Sequence, residues 1–313
     1  MSFFGSLAVS KNPIKLVELD LGPRKIQIPV FDLQGKNGDG KTLLITAGMD
    51  GDEYAGMEAA YQFIEQFKMG DFCGRLIIIP CFNIPGFEAE ESFNPLDMRH
   101  PRDTFPGTAQ GKPTERLIYW LMNGYASSAH IWCDLHGGGG TERLRPFLWM
   151  FETGEPSIQL LAKQIMASLS ANTIVSDKVS RWSKAVPLAR RGCLYFMAES
   201  GDRRCADDGA VQHVKWMHSV MSLLHMISPT LTDQAQPSIV LKNLHFLRAD
   251  FDGFWRPLQD MPVQIGRHDI IGMRMKIQKG VWNEVRISHA GQILYWKETH
   301  RMKRGEILAA IGY

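Results

Sequence analysis

Four short apolar runs, each closing at or just before a Gly-containing turn or a proline, constrain this chain more than any other feature. They are Leu43-Leu44-Ile45-Thr46-Ala47, Leu76-Ile77-Ile78-Ile79-Pro80, Ile131-Trp132-Cys133-Asp134-Leu135 and Cys193 to Ala198. Runs this short, bounded by turn residues, read as buried strands rather than helices. Lys25 to Phe31 alternates as a further strand. Helix-period segments lie between and after them. Met57, Ala60, Tyr61, Ile64 and Phe67 fall on one face of Glu53–Phe67. Thr114 is placed to N-cap a helix through Leu117, Leu121 and Met122. Pro156 opens a helix through Leu160, Ile165 and Leu169, and Val211 to Met226 forms another. Strands alternating with helices predict an α/β fold whose sheet is covered on both faces. In such sheets the site lies beyond the carboxyl ends of the strands.

A chain of 313 residues exceeds one small core and predicts a large domain with a smaller companion. Thr230 to Pro237 reads as a linker. Beyond it, Ile239-Val240-Leu241, Gly253-Phe254-Trp255, Val281 to Ile287, Gln292 to Trp296 and Ile307 to Ile311 are strand-like runs separated by Gly and Pro. The expected division is therefore a catalytic domain over 1–233 and a small all-β domain over 238–313. A net charge of +2, with short basic clusters such as Arg190-Arg191 and Arg203-Arg204 rather than a long run, gives no case for nucleic acid. The N-terminus lacks the charged and apolar regions of a signal peptide, and no run approaches a membrane span. Five widely spaced cysteines, an odd number, suit free thiols in a reducing cytoplasm better than a disulfide framework.

Gly35-Lys36-Asn37-Gly38-Asp39-Gly40-Lys41-Thr42 matches the phosphate-loop pattern letter by letter. That loop works only when it feeds a helix, and here a strand follows. Asn37-Gly38 and Asp39-Gly40 are hairpin dipeptides, so a hairpin between two strands is the expectation.

The chemistry-bearing residues sit at strand ends. Asp50 and Glu53, three apart at a strand-to-helix junction, can point both carboxylates at one centre. His136 leaves a second strand end. Two carboxylates and one imidazole form a three-donor set with room for water, as a catalytic metal site requires. Glu199, at a third strand end, can serve as the base. Asp134, two residues before His136 on an extended chain, faces the same way and can orient its ring. Singly, each acid could be a helix N-terminal charge and the histidine a turn residue. Jointly, at three strand ends of one sheet, they read as a metal centre.

These segments resemble the succinylglutamate desuccinylase/aspartoacylase family, within the zinc carboxypeptidase-like fold. Ala47-Gly48-Met49-Asp50-Gly51-Asp52-Glu53 follows the family's Ala-Gly-x-His-Gly-x-Glu, and Asp134-Leu135-His136-Gly137-Gly138 its Asp-Leu-His. Glu199-Ser200-Gly201, Pro95-Leu96-Asp97 and Thr104-Phe105-Pro106-Gly107 match further segments. Phe251 to Pro257 and Gly291 to Tyr295 resemble the family's small β domain. The resemblance implies a mixed, mostly parallel sheet flanked by helices. It also implies one zinc at Asp50, Glu53 and His136, with Glu199 as general base and acid.

Two departures stand out. Asp50 replaces a histidine ligand, and Arg102-Asp103 falls where the family has an Asn-Arg substrate clamp. Two carboxylates cancel the charge of a divalent ion, so the metal becomes a weaker Lewis acid, and manganese or magnesium is better tolerated. The expected activity is hydrolysis of the N-acyl amide of a small amino-acid-like substrate. Arg102, then Arg99, would hold a substrate anion, with Arg143 and Arg145 as further candidates. The rivals are a degenerate binding protein and a carboxypeptidase acting on short peptides. Trp182 and Trp255 could serve a homo-oligomer interface, although core packing is the commoner fate of such residues.

Overall fold

The computed structural model of the protein describes residues 13–68, 71–169, 171–178, 184–202, 206–228 and 238–313. Trp182, Cys205, the Arg203-Arg204 pair, the N-terminal residues 1–12 and the expected linker at 230–237 lie outside the described residues.

Ten strands precede the C-terminal region: β1 (Lys15–Asp20), β2 (Lys25–Gln34), β3 (Thr42–Ala47), β4 (Arg75–Ile79), β5 (Ile131–His136), β6 (Glu142–Leu144), β7 (Phe147–Glu152), β8 (Thr173–Lys178), β9 (Leu194–Glu199) and β10 (Ile239–Leu241). All but β6 form one nine-stranded sheet in the order β1-β2-β4-β3-β5-β9-β7-β8-β10. Its centre, β4-β3-β5-β9, is parallel, as are β7-β8 and β8-β10. The β1-β2, β2-β4 and β7-β9 pairs are antiparallel.

The helices are α1 (Tyr54–Gln66), α2 (Ile84–Ala89), α3 (Pro113–Gly124), α4 (Pro156–Ser168), α5 (Ala185–Arg190) and α6 (Ala206–Leu223). One face of the sheet packs against α1, α4 and α6 through residues such as Phe63, Ile165, Trp216 and Val220. The other packs against α3 and α5 through Leu117, Leu121 and Leu188. Period-two alternation assigns the sides. Ile131, Cys133 and Leu135 belong to the first face and Trp132 to the second. Asp134 and His136 follow Trp132.

The remaining strands are β11 (Leu244–Arg248), β12 (Gly253–Pro257), β13 (Gln264–Ile265), β14 (Ile270–Met275), β15 (Trp282–Arg286), β16 (Gly291–Lys297), β17 (Arg301–Met302) and β18 (Ile307–Gly312). They form an antiparallel sheet β11-β18-β16-β13, joined by β6, and a second one, β15-β14-β12-β17. A third core of Trp255, Ile265, Ile271, Val285, Ile293 and Leu308 lies among them. Trp255 is fully buried, donating its indole N–H to the Lys297 carbonyl, so it serves the core rather than an interface. Two segments bind these sheets to the rest of the chain. β6 pairs with β16, and β10, grouped by sequence with the C-terminal strands, joins the edge of the large sheet beside β8.

Three local expectations are corrected. The segment 35–42 is no hairpin: β4 lies between β2 and β3, antiparallel to one and parallel to the other. Gly35 and Asn37 instead donate to the carbonyls of Gly74 and Phe72, so the loop spans the entry to β4. Thr114 is not the N-cap of α3. Lys112 holds that position, and Thr114 gives its backbone N–H and hydroxyl to Asp97 at 2.9 and 2.6 Å. Tyr61 leaves the buried face of α1, where Phe63 takes its place.

Candidate metal centre and active site

Asp50, His136 and Glu199 lie at or just beyond the carboxyl ends of β3, β5 and β9, which are neighbours in the sheet. After β3 the chain turns at Gly48, whose φ of +69° suits glycine. Asp50 and Glu53 then flank a tight turn in which the Glu53 N–H faces the Asp50 carbonyl. Glu53 is the extended residue before α1, which frees its side chain to reach away from the helix. α1 approaches β5 closely at Gly56, where a Cβ would stand 2.8 Å from the Leu135 carbonyl oxygen.

The three side chains converge. His136 Nδ1 lies 2.9 Å from Glu53 Oε2 and 3.6 Å from Asp50 Oδ2. Glu53 Oε2 also accepts the Gly137 N–H at 3.1 Å. One donor atom from each residue falls within 4.8 Å of the others. Asp50 is fully buried, yet its Oδ1 accepts no hydrogen bond; His100 Nδ1 is 3.7 Å away. A buried carboxylate oxygen without a partner is costly, and a cation between these three residues would satisfy it. The donor set therefore fits a divalent ion, with Nδ1 of His136 as the imidazole donor.

Behind His136, its Nε2 lies 3.2 Å from Asp134 Oδ2, an ion-pair distance without an aligned hydrogen bond. Asp134 is fully buried and well supplied. Thr46 donates its hydroxyl at 2.6 Å and Tyr195 its phenol at 2.9 Å. Trp132 in turn donates its indole N–H to Thr46 at 2.7 Å. Lys184 Nζ lies 4.0 Å from Asp134 and over the rings of Phe105 and Tyr195. His213 on α6 donates from Nε2 to the carbonyl of His136, at 2.9 Å, and is 3.2 Å from that of Ser200.

Glu199 is the register partner of His136 on β9. Burial, with Asp50, Glu142 and Asp134 nearby, pushes its carboxyl up to about 7 against the opposing pull of His136. Burial and Asp50 push Glu53 up to about 8. Burial would raise Asp50 as well, but Arg102, His100 and His136 together hold it below the usual carboxylate range. Burial would lower His136, but Asp134 and Glu53 hold it well above the usual imidazole range. Glu53 and Glu199 thus resist ionising in a buried pocket that already holds the charged Asp50.

The arginines divide. Arg102 joins the cluster, its Nη1 2.8 Å from Asp50 Oδ2. Arg99 pairs with Glu115 in the first turn of α3. Arg143 pairs with Asp202 and, at 3.6 Å, with Glu298. Arg145 donates to the carbonyls of Met261 and Ile293 and stacks over Trp296. Among the described residues none of these three forms an ion pair with Asp50, Glu53, His136 or Glu199. Their partners lie on α3, after β9 and in the C-terminal sheets.

Sequence reasoning passes over Thr46, Tyr195, Lys184, His100 and His213. Thr46 and Tyr195 did leave a signal, as polar interruptions in apolar strand runs. Lys184 and His213 left none, because their role depends on which helix covers which face.

The catalytic-domain model of the succinylglutamate desuccinylase/aspartoacylase family matches residues 39–204, just over half of the chain. Over 122 residues the chain is 34% identical to N-alpha-acetyl-L-2,4-diaminobutyric acid deacetylase of Halomonas elongata. That alignment spans 39% of this chain and 35% of the relative. A succinylglutamate desuccinylase of Silicibacter sp. TM1040 superposes with a TM-score of 0.85 at 22% identity, over 99% of this chain and 97% of that one. The product-bound ectoine utilization protein EutE (DoeB) of Ruegeria pomeroyi superposes with a TM-score of 0.83 at 22% identity, over 97% of this chain and 99% of that one. At these identities the superpositions establish the shared fold.

Proposed function

This chain belongs to the succinylglutamate desuccinylase/aspartoacylase family, and we propose that it is a metal-dependent hydrolase cleaving the N-acyl amide of a small amino-acid-like substrate. The observation that carries the reading is the buried convergence of Asp50, Glu53 and His136 beside Glu199. The Halomonas deacetylase supports the substrate class, since its name specifies removal of an acetyl group from a diamino acid.

Asp50, Glu53 and His136 Nδ1 would hold the ion. Zinc is the first choice because an imidazole is present, and manganese or magnesium suits the two carboxylates. The bound metal would acidify a water and polarise the substrate carbonyl. Asp134 keeps the His136 ring in place and favours the proton on Nε2, which leaves Nδ1 free to donate its lone pair. Glu199, poised near neutrality, takes the proton from the attacking water and delivers it to the leaving amine nitrogen. Arg102, 35% exposed at the edge of the cluster, supplies the positive charge for a substrate carboxylate.

The Arg102–Asp50 ion pair favours a rival, a binding protein that has given up the chemistry, because a guanidinium already neutralises one ligand carboxylate. A panel of N-acetyl and N-succinyl amino acids, assayed with added zinc, manganese or magnesium, separates the two. Hydrolysis that needs a metal and disappears in Glu199→Gln supports the enzyme. No turnover with any metal, or an undiminished rate in Glu199→Gln, refutes it.

A further inference from the structure

We propose that Arg102 is shared between Asp50 and the anionic group of the substrate, so that metal and anion binding tighten one another. The inference rests on the assignment of Asp50, Glu53 and His136 as the metal site. Its basis is a conflict of geometry. Asp50 Oδ2 faces both His136 Nδ1, at 3.6 Å, and Arg102 Nη1, at 2.8 Å. The same carboxylate thus belongs to the metal-ligand triangle and to an ion pair. A divalent ion and a guanidinium on one carboxylate repel each other, and burial makes that repulsion stronger than in water.

The two partners differ in freedom. Asp50 is fully enclosed, whereas Arg102 is 35% exposed and has a route outward. The backbone that carries Arg102 is pinned. Asp103 donates its N–H to the His100 carbonyl at 3.1 Å, and Thr104 bonds that carbonyl and that of Pro101. The Arg102 side chain is therefore the part that can move.

Without a metal, Arg102 neutralises Asp50. A carboxylate ligand arriving from solvent offers the guanidinium a second partner of the same geometry. Drawing Arg102 outward frees the Asp50 carboxylate for the metal and lowers the local positive charge. The metal in turn repels Arg102 toward the anion. Such coupling is reciprocal: each ligand improves the affinity of the other by one common factor.

The test is zinc affinity, measured by competition with a chromophoric chelator at constant ionic strength, in chloride and in acetate. Acetate should tighten zinc binding to the wild-type protein at least about fivefold, the lower end of typical coupling. Arg102→Gln should bind zinc more tightly than wild type in chloride and lose most of the acetate effect. Arg102→Lys keeps the charge and should stay weak in chloride. An acetate effect equal in wild type and Arg102→Gln means that acetate meets the metal directly and overturns the proposal. So does an Arg102→Gln protein that binds zinc no more tightly. Should Arg102→Gln fail to fold by circular dichroism, wild type and Arg102→Lys decide: a wild-type affinity indifferent to acetate, or an Arg102→Lys protein as tight in chloride as wild type in acetate, overturns it. Asp50→Asn separates the two levels. Wild-type zinc affinity in Asp50→Asn removes the ligand assignment itself. Lost affinity there, with an acetate-independent wild type, removes only the coupling.

Discussion

Replacing Asp134 by asparagine should damage stability and metal binding together, although the residue is not itself a proposed ligand. Its carboxylate accepts from Thr46 on one oxygen and from Tyr195 on the other, and faces His136 Nε2 and Lys184 Nζ at 3.2 and 4.0 Å. Asparagine keeps the volume but offers one oxygen and one NH2. The NH2 cannot accept the bond that a hydroxyl now donates, so that hydroxyl must turn to accept instead, and the two cations lose their shared counter-charge. Removing one partner of a buried ion pair costs about 3–5 kcal/mol. With roughly 2.1 cal/mol/K of unfolding entropy per residue, the 313 residues give about 0.66 kcal/mol/K. The expected fall in melting temperature is therefore about 5–8 °C. The second effect is electronic. An NH2 aimed at Nε2 favours the tautomer with its proton on Nδ1, the atom that should ligate. Zinc affinity should fall roughly 10- to 100-fold. Differential scanning calorimetry and chelator competition read the two effects separately. An Asp134→Asn protein with wild-type melting and wild-type zinc affinity would refute the argument that this buried network orients His136.

Three further outcomes are expected. Exhaustive chelation should lower the melting temperature and readdition of zinc restore it; saturation at a hundred times Kd corresponds to about 2.7 kcal/mol, and a melting curve indifferent to both treatments contradicts the metal site. His213 should make stability fall in mild acid. Burial pushes its pKa down to about 4 in the folded protein, so between about pH 6.5 and 4 the unfolded chain takes up a proton that the native state refuses. The full loss approaches about 3 kcal/mol at the low end and is absent above pH 7; His213→Gln should flatten denaturant-derived stability across that window. Asp97→Ala should cost about 1–2 kcal/mol by removing both bonds to Thr114 at the start of α3, measured by urea denaturation.

Much of the candidate site was legible because its residues end apolar runs. Asp50, His136 and Glu199 each stand where a buried strand meets a turn, and strand neighbours in an α/β sheet bring such ends together. The central strands, α1, α4 and the C-terminal strands β10, β12, β15, β16 and β18 were readable from their local patterns, while β11, β13, β14 and β17 were not read. β7 and β8 were not read, although β7 is almost wholly buried: Phe147-Leu148-Trp149-Met150-Phe151 has no alternation and no flanking glycine before it. The four arginines could not be ranked from sequence for a different reason. Charge at a loop position says nothing of which carbonyl or carboxylate lies opposite, and Arg99, Arg143 and Arg145 each proved to have a structural partner.

What the amino-acid order determined by itself was local: which segments are buried strands, which turns need glycine, and which acids and imidazole stand at strand ends. Periodicity and turn chemistry act over a few residues, so they can be read from a few residues. What only the tertiary structure decided was pairing across distance. β4 slides between β2 and β3 and turns an apparent hairpin into a crossing loop. Trp132, Thr46, Asp134 and Tyr195 join from three adjacent strands into one bonded chain behind His136. Arg102 reaches across 52 positions to occupy the carboxylate that a metal would need. Electrostatic partners are chosen by proximity in a low-dielectric interior, and that proximity exists only once the sheet order and its covering helices are set.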